Sequence, residues 1–336
     1  MDMESIISFL AAMIRTATPL ALATLACTIS ERAGVINIGI EGVMIASAFS
    51  AAMGAYYSGD PWCGLIAGVL AGILLSVLIA VLSIYCGGDQ VVIGIGLNLL
   101  GPGLSYLIMY KIWGSRGTSP WLPGFGSVDI PFIKDTPVLG SILSGHNPCV
   151  YLCLLMVVVM HYVIYHTKYG LRVRAAGENP SVLQTAGVNV YRLRTSAVLW
   201  SGAMVGLSGV SLSLGQLNVF TNGMSADRGF LAYAANRFGQ WTPVGSYLTC
   251  LLFGGMEALR MRMQDFNVAP QLLKMLPYVV TLFALMLTGR RLRTPAADGV
   301  PFNHPITIPQ AKGKKGSSYP QSKKDGKENQ DETIQG

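Results

Sequence analysis

Polar side chains that could take part in chemistry are sparse in this chain, and a few of them interrupt long apolar runs. Glu41 stands in the stretch NIGIEG with Asn37, Gly39 and Gly42, and Asn98 stands in GIGLNLLGPG. A carboxylate or amide near the centre of a bilayer is costly, so such groups face the interior of a helix bundle or a wet cavity. Two interpretations follow. In the first, Asn37, Gly39, Glu41 and Asn98 line a translocation path along a discontinuous helix. In the second, Asn37, Glu41 and the neighbouring backbone form a hydrogen-bonded knot that bends the helix.

Residue sets typical of catalysis or metal binding are missing from the sequence. No glycine-rich phosphate loop with its lysine occurs, no HExxH, and no Ser/His/Asp or paired-carboxylate set on a common face. The six cysteines lie mostly within or beside apolar runs, and no histidine or second pair completes a metal site. We therefore predict no catalytic residue, no metal site and no cofactor on this chain.

Composition and apolar runs indicate a membrane protein. Apolar residues make up 51 % of the 336 residues and charged residues 12 %, about half the ~25 % charged share of a soluble domain. The net charge of +7 falls largely in loops and in the tail, which gives no argument for a nucleic acid partner. We predict an all-α, polytopic transmembrane helix bundle with about 8–9 membrane segments. Runs long enough to cross the hydrocarbon core occur at 6–29, 36–57, 62–86, 90–112, 148–166, 196–216, 243–262 and 271–289, and a shorter run occurs at 228–240.

A basic loop between two of these runs sets the predicted orientation. Residues 168–194 carry four arginines and one lysine against one glutamate, a net charge of +4, and such loops stay in the cytoplasm. The loop 113–147 is then external, and its four charges cancel. The C-terminus lies inside if 228–240 also crosses, which gives nine crossings and leaves Arg260 and Arg262 on the outer side.

The basic loop contains the signals of a short helix. Asn179 is a good N-cap, Pro180 suits the first helical position, and Gly187 suits a left-handed residue after the last turn. Residues 181–186 between them make about two turns. The helix either completes a long surface loop or docks on a cytoplasmic partner.

Four stretches of the chain resemble one family. RAAGENPSVLQTAGV, in the basic loop, is similar to the coupling loop of permease subunits of ATP-binding-cassette (ABC) importers, in the branch serving simple sugars, nucleosides and branched-chain amino acids. Residues 31–49, 89–107 and 227–245 agree with the same family and follow in its order. The resemblance implies that the short helix is a coupling helix, seated in a cleft of an ATPase subunit. The residues to which it assigns this coupling are Arg174, Gly177, Glu178, Asn179, Pro180, Ala186 and Gly187.

The resemblance also implies an assembly. The chain would pair with a second permease subunit, identical or different, with ABC ATPase subunits that bind the ATP, and with an extracellular or periplasmic substrate-binding protein. Membrane lipid would surround this bundle in the bacterial cytoplasmic (inner) membrane. The implied cargo is a nucleoside or simple sugar, and branched-chain amino acids are the alternative. A stand-alone secondary transporter, with inverted repeats and an ion relay, is a rival of another class, and a membrane enzyme is disfavoured by the missing catalytic set.

Three local features complete the expectations. Asn236 and Arg237 interrupt a stretch that continues with apolar residues in the family, which favours a re-entrant element there. Glu257 and Arg260 are three residues apart and are expected to pair on one helix face. Residues 294–336 are rich in Lys, Ser, Gly, Gln and Pro, so we predict a disordered cytoplasmic tail after a permease domain at 1–293.

Overall fold

The computed structural model describes residues 3–115, 117–128, 144–263, 279, 294–300 and 302. Within these residues the chain forms helices, and β-structure is limited to two isolated bridges. The predicted all-α class is therefore confirmed. The helices are α1 (Met3–Arg32), α2 (Ile40–Ser58), α3 (Pro61–Ala80), α4 (Gln90–Trp113), α5 (Pro148–His166), α6 (Lys168–Glu178), α7 (Pro180–Thr185), α8 (Val190–Val210), α9 (Arg228–Phe238) and α10 (Pro243–Met263).

Five helices in the described part of the chain are long and apolar enough to cross a bilayer. They are α1, α4, α5, and α3 and α8 together with the π-helical turns that extend them, Val81–Tyr85 and Ser211–Leu217. The chain is a multi-pass membrane protein. The count of 8–9 segments stays a prediction, because the run 271–289 lies outside the described residues except for Val279.

Side-chain caps fix where many of the helices begin. An Asp or Asn side chain accepts a backbone N–H of the first turn in each case and so satisfies a donor that the helix itself leaves open. Proline follows the cap at the first position of α3, α5 and α7, where its missing N–H costs nothing. The capping residues are Asp60, Asp89, Asn147, Asn179 and Asn189.

Small residues let the helices approach closely. On α3, Gly64, Gly68, Gly72 and Ser76 are buried, and their spacing of four places them on one face. A Cβ atom on Gly72 would lie 2.9 Å from the Cα of Gly206 on α8. Close backbone approach of this kind is how helices associate in lipid, where the hydrophobic effect no longer drives them together.

Helices α1 and α10 run antiparallel. The Thr16 hydroxyl donates to the Gly254 carbonyl at 2.9 Å, while further along α1 the Thr28 and Ser246 hydroxyls lie 3.4 Å apart. The start of α10 therefore lies beside the end of α1. Their contact runs along most of both helices.

The segment between α8 and α10 contains α9 and irregular backbone. Gln216, which follows α8, donates to the Arg15 carbonyl at 2.8 Å, and Ser246 near the start of α10 lies beside Thr28 of α1. Between these two points the chain travels along thirteen residues of α1, roughly 20 Å. Helix α9 supplies about 16 Å of that path with its 11 residues, and an irregular segment supplies the rest. Helix α9 alone is too short to cross the hydrocarbon core, which is ~30 Å thick, and whether the segment 228–240 crosses the membrane stays a prediction.

The described end of the chain packs against the bundle. Residues 294–300 and 302, the C-terminal strap, follow a path over α6 and α8. The Arg194 guanidinium donates to the Val300 carbonyl at 3.0 Å, and the Tyr191 hydroxyl donates to the Phe302 carbonyl at 2.8 Å. Composition predicts disorder from residue 294, and in these eight residues two polar side chains of α8 bind the strap backbone. Residues 303–336 lie outside the described part of the chain.

Candidate functional site

Glu41 accepts three hydrogen bonds inside the helix bundle. It belongs to the first turn of α2, and it is 8 % exposed. Its Oε1 accepts from the Ser225 hydroxyl and from the Asp227 amide at 3.2 Å. Its Oε2 accepts from the Gly229 amide at 2.6 Å. The carboxylate thus caps the N-terminus of α9, where the unpaired N–H groups and the helix dipole favour a negative charge.

The backbone around this cap is tightly constrained. Ala226 and Asp227 have φ values of +47° and +60°, a left-handed conformation that L-residues seldom adopt. Gly229 lies so close to α2 that a Cβ atom there would stand 2.6 Å from the Glu41 amide nitrogen. Both oxygens of Glu41 are therefore held by segment 225–229, which supports the interpretation of a hydrogen-bonded knot for this residue. The knot is made with 225–229 and not with Asn37.

Asn98 makes two hydrogen bonds to the backbone around the start of α2. Its Oδ1 accepts from the Gly42 amide at 2.8 Å, and its Nδ2 donates to the Ile38 carbonyl at 3.0 Å. A Cβ atom on Gly39 would lie 3.2 Å from that of Leu97, so the two segments meet backbone to backbone. Asn98 joins α4 to the turn before α2.

Asn37 differs from the other predicted path residues. It is 2 % exposed, and neither polar atom of its side chain has a hydrogen-bond partner among the described residues. The structure thus gathers Asn37, Gly39, Glu41 and Asn98 around one turn. A role of these four residues in translocation stays a prediction.

A cavity of about 440 Å³ lies on the α9 side of the Glu41 cap. Its walls come from α1, from the start of α9 and from α10. Glu257 pairs with Arg260 at 2.9 Å, as their spacing predicted, and stands 3.9 Å from Arg228. The residues that line it are Thr16, Leu20, Ala226, Asp227, Arg228, Leu231, Phe253, Gly254, Glu257 and Arg260.

This cavity was not predicted from the sequence. The Asp-Arg pair that opens 227–245 and the charges late in the run 243–262 were visible signals. They are far apart in the chain, however, and only the antiparallel packing of α1 and α10 brings them together.

The predicted short helix is present in the basic loop as α7. Asn179 caps it by accepting from the Val182 amide at 3.4 Å, and Pro180 is its first residue. Gly187 has φ +76°, and its amide donates to the Gln184 carbonyl at 3.0 Å. The helix ends at Thr185, so Ala186 is its cap and not part of its last turn.

The other residues assigned to coupling lie on α6 or next to it. The Arg174 guanidinium carbon lies 5.2 Å from the centre of the Tyr165 ring, a cation–π contact. Gly177 is buried, and its carbonyl accepts from the Ala297 amide of the strap at 2.7 Å. Glu178 is exposed. The seven predicted coupling residues thus lie on α6, on α7 and at the ends of α7, with Gly177 buried, and their coupling role stays a prediction.

A buried polar cluster joins α1 to α9 near the end of α1. Glu31 accepts from the Trp241 indole and from the Asn236 amide, the latter at 3.2 Å. Asn236 in turn accepts from the Thr28 hydroxyl at 2.7 Å. Arg237 lies over the Tyr233 ring at 4.4 Å. Asn236 thus has partners on α1, and Arg237 has one within α9.

The C-terminal strap adds an acid to this region. Burial raises the pKa of Asp298 from its ordinary value of 3.8 to about 6, and the positive charges of Arg237 and Arg194 act in the opposite direction. Arg194 is 2 % exposed. The region where the strap meets α6 and α8 therefore holds a half-buried acid and a buried arginine.

Comparison with known proteins defines the class of this helical bundle. Residues 9–285 match the family described as the branched-chain amino acid transport system permease component. Since the match spans most of the chain, the protein belongs to this family of membrane permeases.

Individual relatives are similar over nearly their whole length. The chain is 34 % identical over 314 residues to the guanosine ABC transporter permease protein NupQ of Bacillus subtilis strain 168, covering 90 % of this chain and 98 % of that one. It is 33 % identical over 299 residues to the nucleoside ABC transporter permease protein NupC of Lactococcus lactis subsp. cremoris strain MG1363, covering 86 % and 94 %. A second guanosine ABC transporter permease protein of the same Bacillus strain, NupP, is 26 % identical over 279 residues, covering 80 % and 79 %.

Proposed function

We propose that this protein is the membrane-spanning permease subunit of an ATP-driven ABC importer that carries nucleosides. The observation that carries the proposal is the similarity to NupQ over 90 % of the chain. Because 90 % of the chain is aligned, the aligned part includes the polar turn, the basic loop and α9. Simple sugars are a related cargo, and branched-chain amino acids are the alternative that the family description favours.

ATP hydrolysis by this importer resides on separate ATPase subunits. The sequence has no phosphate loop, so the purified chain alone should neither bind nor hydrolyse ATP. Saturable ATP binding by the isolated chain would contradict the assignment as a transport subunit.

The ATPase subunits dock on the surface formed by α7 and its flanks. Val182 on α7 and Leu171 on α6 are each 61 % exposed, which gives this surface apolar side chains that a partner can cover. Because Asn179 and Gly187 fix both ends of α7, the helix can move as a rigid element when the ATPase subunits move. Helix α6 and the start of α8 carry that displacement toward the bundle.

The second permease subunit is a different chain. The same Bacillus strain has two guanosine permease proteins, NupQ and NupP, and the chain resembles both, at 34 % and 26 % identity. This pattern favours a heterodimer of related permeases. An external binding protein delivers the solute, and the complex sits in the bacterial cytoplasmic membrane with α7 and the C-terminus inside.

Uptake in intact cells tests the proposed cargo. Deletion of the gene should abolish high-affinity uptake of tritiated guanosine at submicromolar concentration, and a plasmid copy should restore it. Excess unlabelled adenosine or uridine should compete, whereas leucine should not. Loss of leucine uptake with intact guanosine uptake would establish the alternative and overturn the nucleoside proposal.

A further inference from the structure

The cavity beside α9 has the size and the charge balance of a site for an uncharged polar solute. Its volume of about 440 Å³ lies within the ~300–1,000 Å³ typical of small-molecule sites. Two acids, Asp227 and Glu257, face two arginines, Arg228 and Arg260, so the formal charge of the lining is zero. An ion of either sign gains little there, whereas a neutral molecule with several hydroxyls finds both donors and acceptors.

The carboxylate of Asp227 is an unused hydrogen-bond acceptor at this cavity, as far as the described residues go. Its residue is exposed, and among the described residues no hydrogen bond or ion pair to its carboxylate occurs. Its backbone is nonetheless fixed, because its amide donates to Glu41 and its φ is +60°. Left-handed backbone in non-glycine residues concentrates at functional sites, where the surrounding structure holds it in place.

Two arginines at the cavity, Arg228 on α9 and Arg260 on α10, are candidate donors. The Arg228 guanidinium is held by the Met224 carbonyl at 3.1 Å and by the Ser225 carbonyl at 3.4 Å. Glu257 is engaged with both arginines, so it orients them and is not itself the free acceptor. The Nε of Arg260 is buried and has no hydrogen-bond partner among the described residues, so the donors that Arg260 can present to the cavity are its terminal N–H groups, one nitrogen of which pairs with Glu257.

Apolar side chains complete the lining. Leu20, Leu231 and Phe253 lie on the same cavity. A flat or weakly polar group can rest against them while hydroxyls meet the charged wall. Nucleosides and sugars share this division, because both carry vicinal hydroxyls on a ring.

We propose that this cavity binds the sugar ring of the transported solute, with the Asp227 carboxylate accepting hydrogen bonds from two vicinal hydroxyls and Arg260 donating to a ring substituent. The proposal rests on the proposed function and deepens it, since it places cargo discrimination on the permease as well as on the binding protein. Asp227 is then a specificity-determining residue. The apolar side chains hold the base or the less polar ring face.

Uptake by cells that carry chromosomal variants tests this site, since the binding protein and the ATPases are the same in every strain. The probes are guanosine and 2′-deoxyguanosine, which lacks one hydroxyl of the pair. Asp227→Asn keeps the size and tolerates the left-handed backbone. It should lower guanosine uptake at least ~5-fold and leave 2′-deoxyguanosine uptake within about twofold, because an amide offers one acceptor oxygen where the carboxylate offers two. An unchanged ratio of the two uptake rates in the variant, or an equal loss of both, would overturn the site.

A pair of variants that fill space provides a second readout. Leu231→Trp fills the cavity and should reduce uptake of both probes at least ~10-fold at normal membrane levels. Leu248→Trp on α10, a position that is 60 % exposed, is the matched control and should transport normally. Normal transport by Leu231→Trp would exclude the cavity from the solute's route. If wild-type cells take up neither guanosine nor 2′-deoxyguanosine, the proposed function itself is refuted. The results with the variants bear only on the cavity.

Discussion

The Ala297 amide donates a 2.7 Å hydrogen bond to the Gly177 carbonyl, two residues before the cap of the short helix α7. This contact ties the C-terminal strap to the predicted coupling loop. Arg194 and Tyr191 of α8 bind the same strap further along. The strap therefore connects the loop with the helix that follows it, and a change in strap docking should be felt at α7.

Strap docking should weaken as the pH rises from about 4 to about 6. Burial raises the pKa of Asp298 to about 6 from 3.8, so the docked strap binds the proton more tightly than the free strap does. Docking is then most favourable at a pH below the pKa of Asp298 in the free strap. It weakens as the pH rises and stops weakening once the pH exceeds the pKa of Asp298 in the docked strap. Arg194, Arg237 and Glu31 also bear on this region, and Asp298→Asn isolates the contribution of the acid by removing it.

Thiol accessibility measures this docking. Ala297 is buried and Ala296 is exposed, so the ratio of labelling rates of Ala297→Cys and Ala296→Cys in inside-out vesicles reports undocking and cancels the thiol's own pH dependence. The ratio should increase between about pH 4 and 6 and then level off. In the Asp298→Asn background this increase should be absent or much smaller. A ratio that falls with pH would contradict the assigned direction.

Gly187→Val should uncouple transport without harming membrane insertion. Gly187 has φ +76°, and a Cβ atom built there meets nothing within 4 Å, so the penalty is one of backbone conformation alone. Left-handed backbone costs an L-residue about 1–2 kcal/mol, and more when it is β-branched. We expect normal membrane levels, strongly reduced uptake and weaker co-purification of the ATPase. Gly187→Asn, which tolerates this conformation, and Ser181→Ala should both be mild, and wild-type uptake by Gly187→Val would refute the coupling role.

Gly229→Ala should disrupt the contact between α2 and α9. The added carbon would stand 2.6–2.7 Å from backbone atoms of Glu41, and such overpacking costs about 1–3 kcal/mol. Glu41→Gln should destabilise by a similar amount, because its amide N–H₂ would face donors instead of accepting from them. Both variants should unfold at lower temperature in detergent. Gly126→Ala, where no atom lies within 4 Å of the new carbon, is the control and should unfold like the wild type.

Cysteines at Ser127 and Ser181 should report opposite sides of the membrane. Both positions are exposed, and only Cys63 and Cys86 need replacement beforehand, because the other four cysteines are buried. A thiol at Ser127 should react with an impermeant reagent in whole cells. One at Ser181 should react only after permeabilisation, and the reverse pattern would overturn the orientation.

Local signals in the sequence predicted local structure well. Asn179, Pro180 and Gly187 were each assigned a position in a short helix from residue type alone, and the structure places each of them there. These preferences depend on a few neighbouring backbone atoms. The burial of Arg194 and the docking of the strap depend on residues about a hundred positions apart, so no local pattern indicates them.

The partners of the polar residues in apolar runs were not predicted. Glu41 and Asn98 were each expected to line a path or to take part in hydrogen bonds that bend a helix, and the structure gives each of them hydrogen bonds to distant backbone. The partners of Glu41 could not be read from the sequence, because Ser225 and the Gly229 amide are ordinary groups whose importance comes only from the path of the chain. The cavity was missed for the same reason.

The bond between Glu41 and Gly229 has a consequence for biosynthesis. The two residues are 188 positions apart, which at ~5–20 residues per second corresponds to roughly 10–40 s of translation. During that interval Glu41 has been synthesised, but the residues whose N–H and hydroxyl groups will offset the free-energy cost of placing its carboxylate in hydrocarbon have not. A helix α2 that enters lipid during this interval therefore carries the cost of an acid without its native donors. Its final packing is completed only after the ribosome has delivered α9.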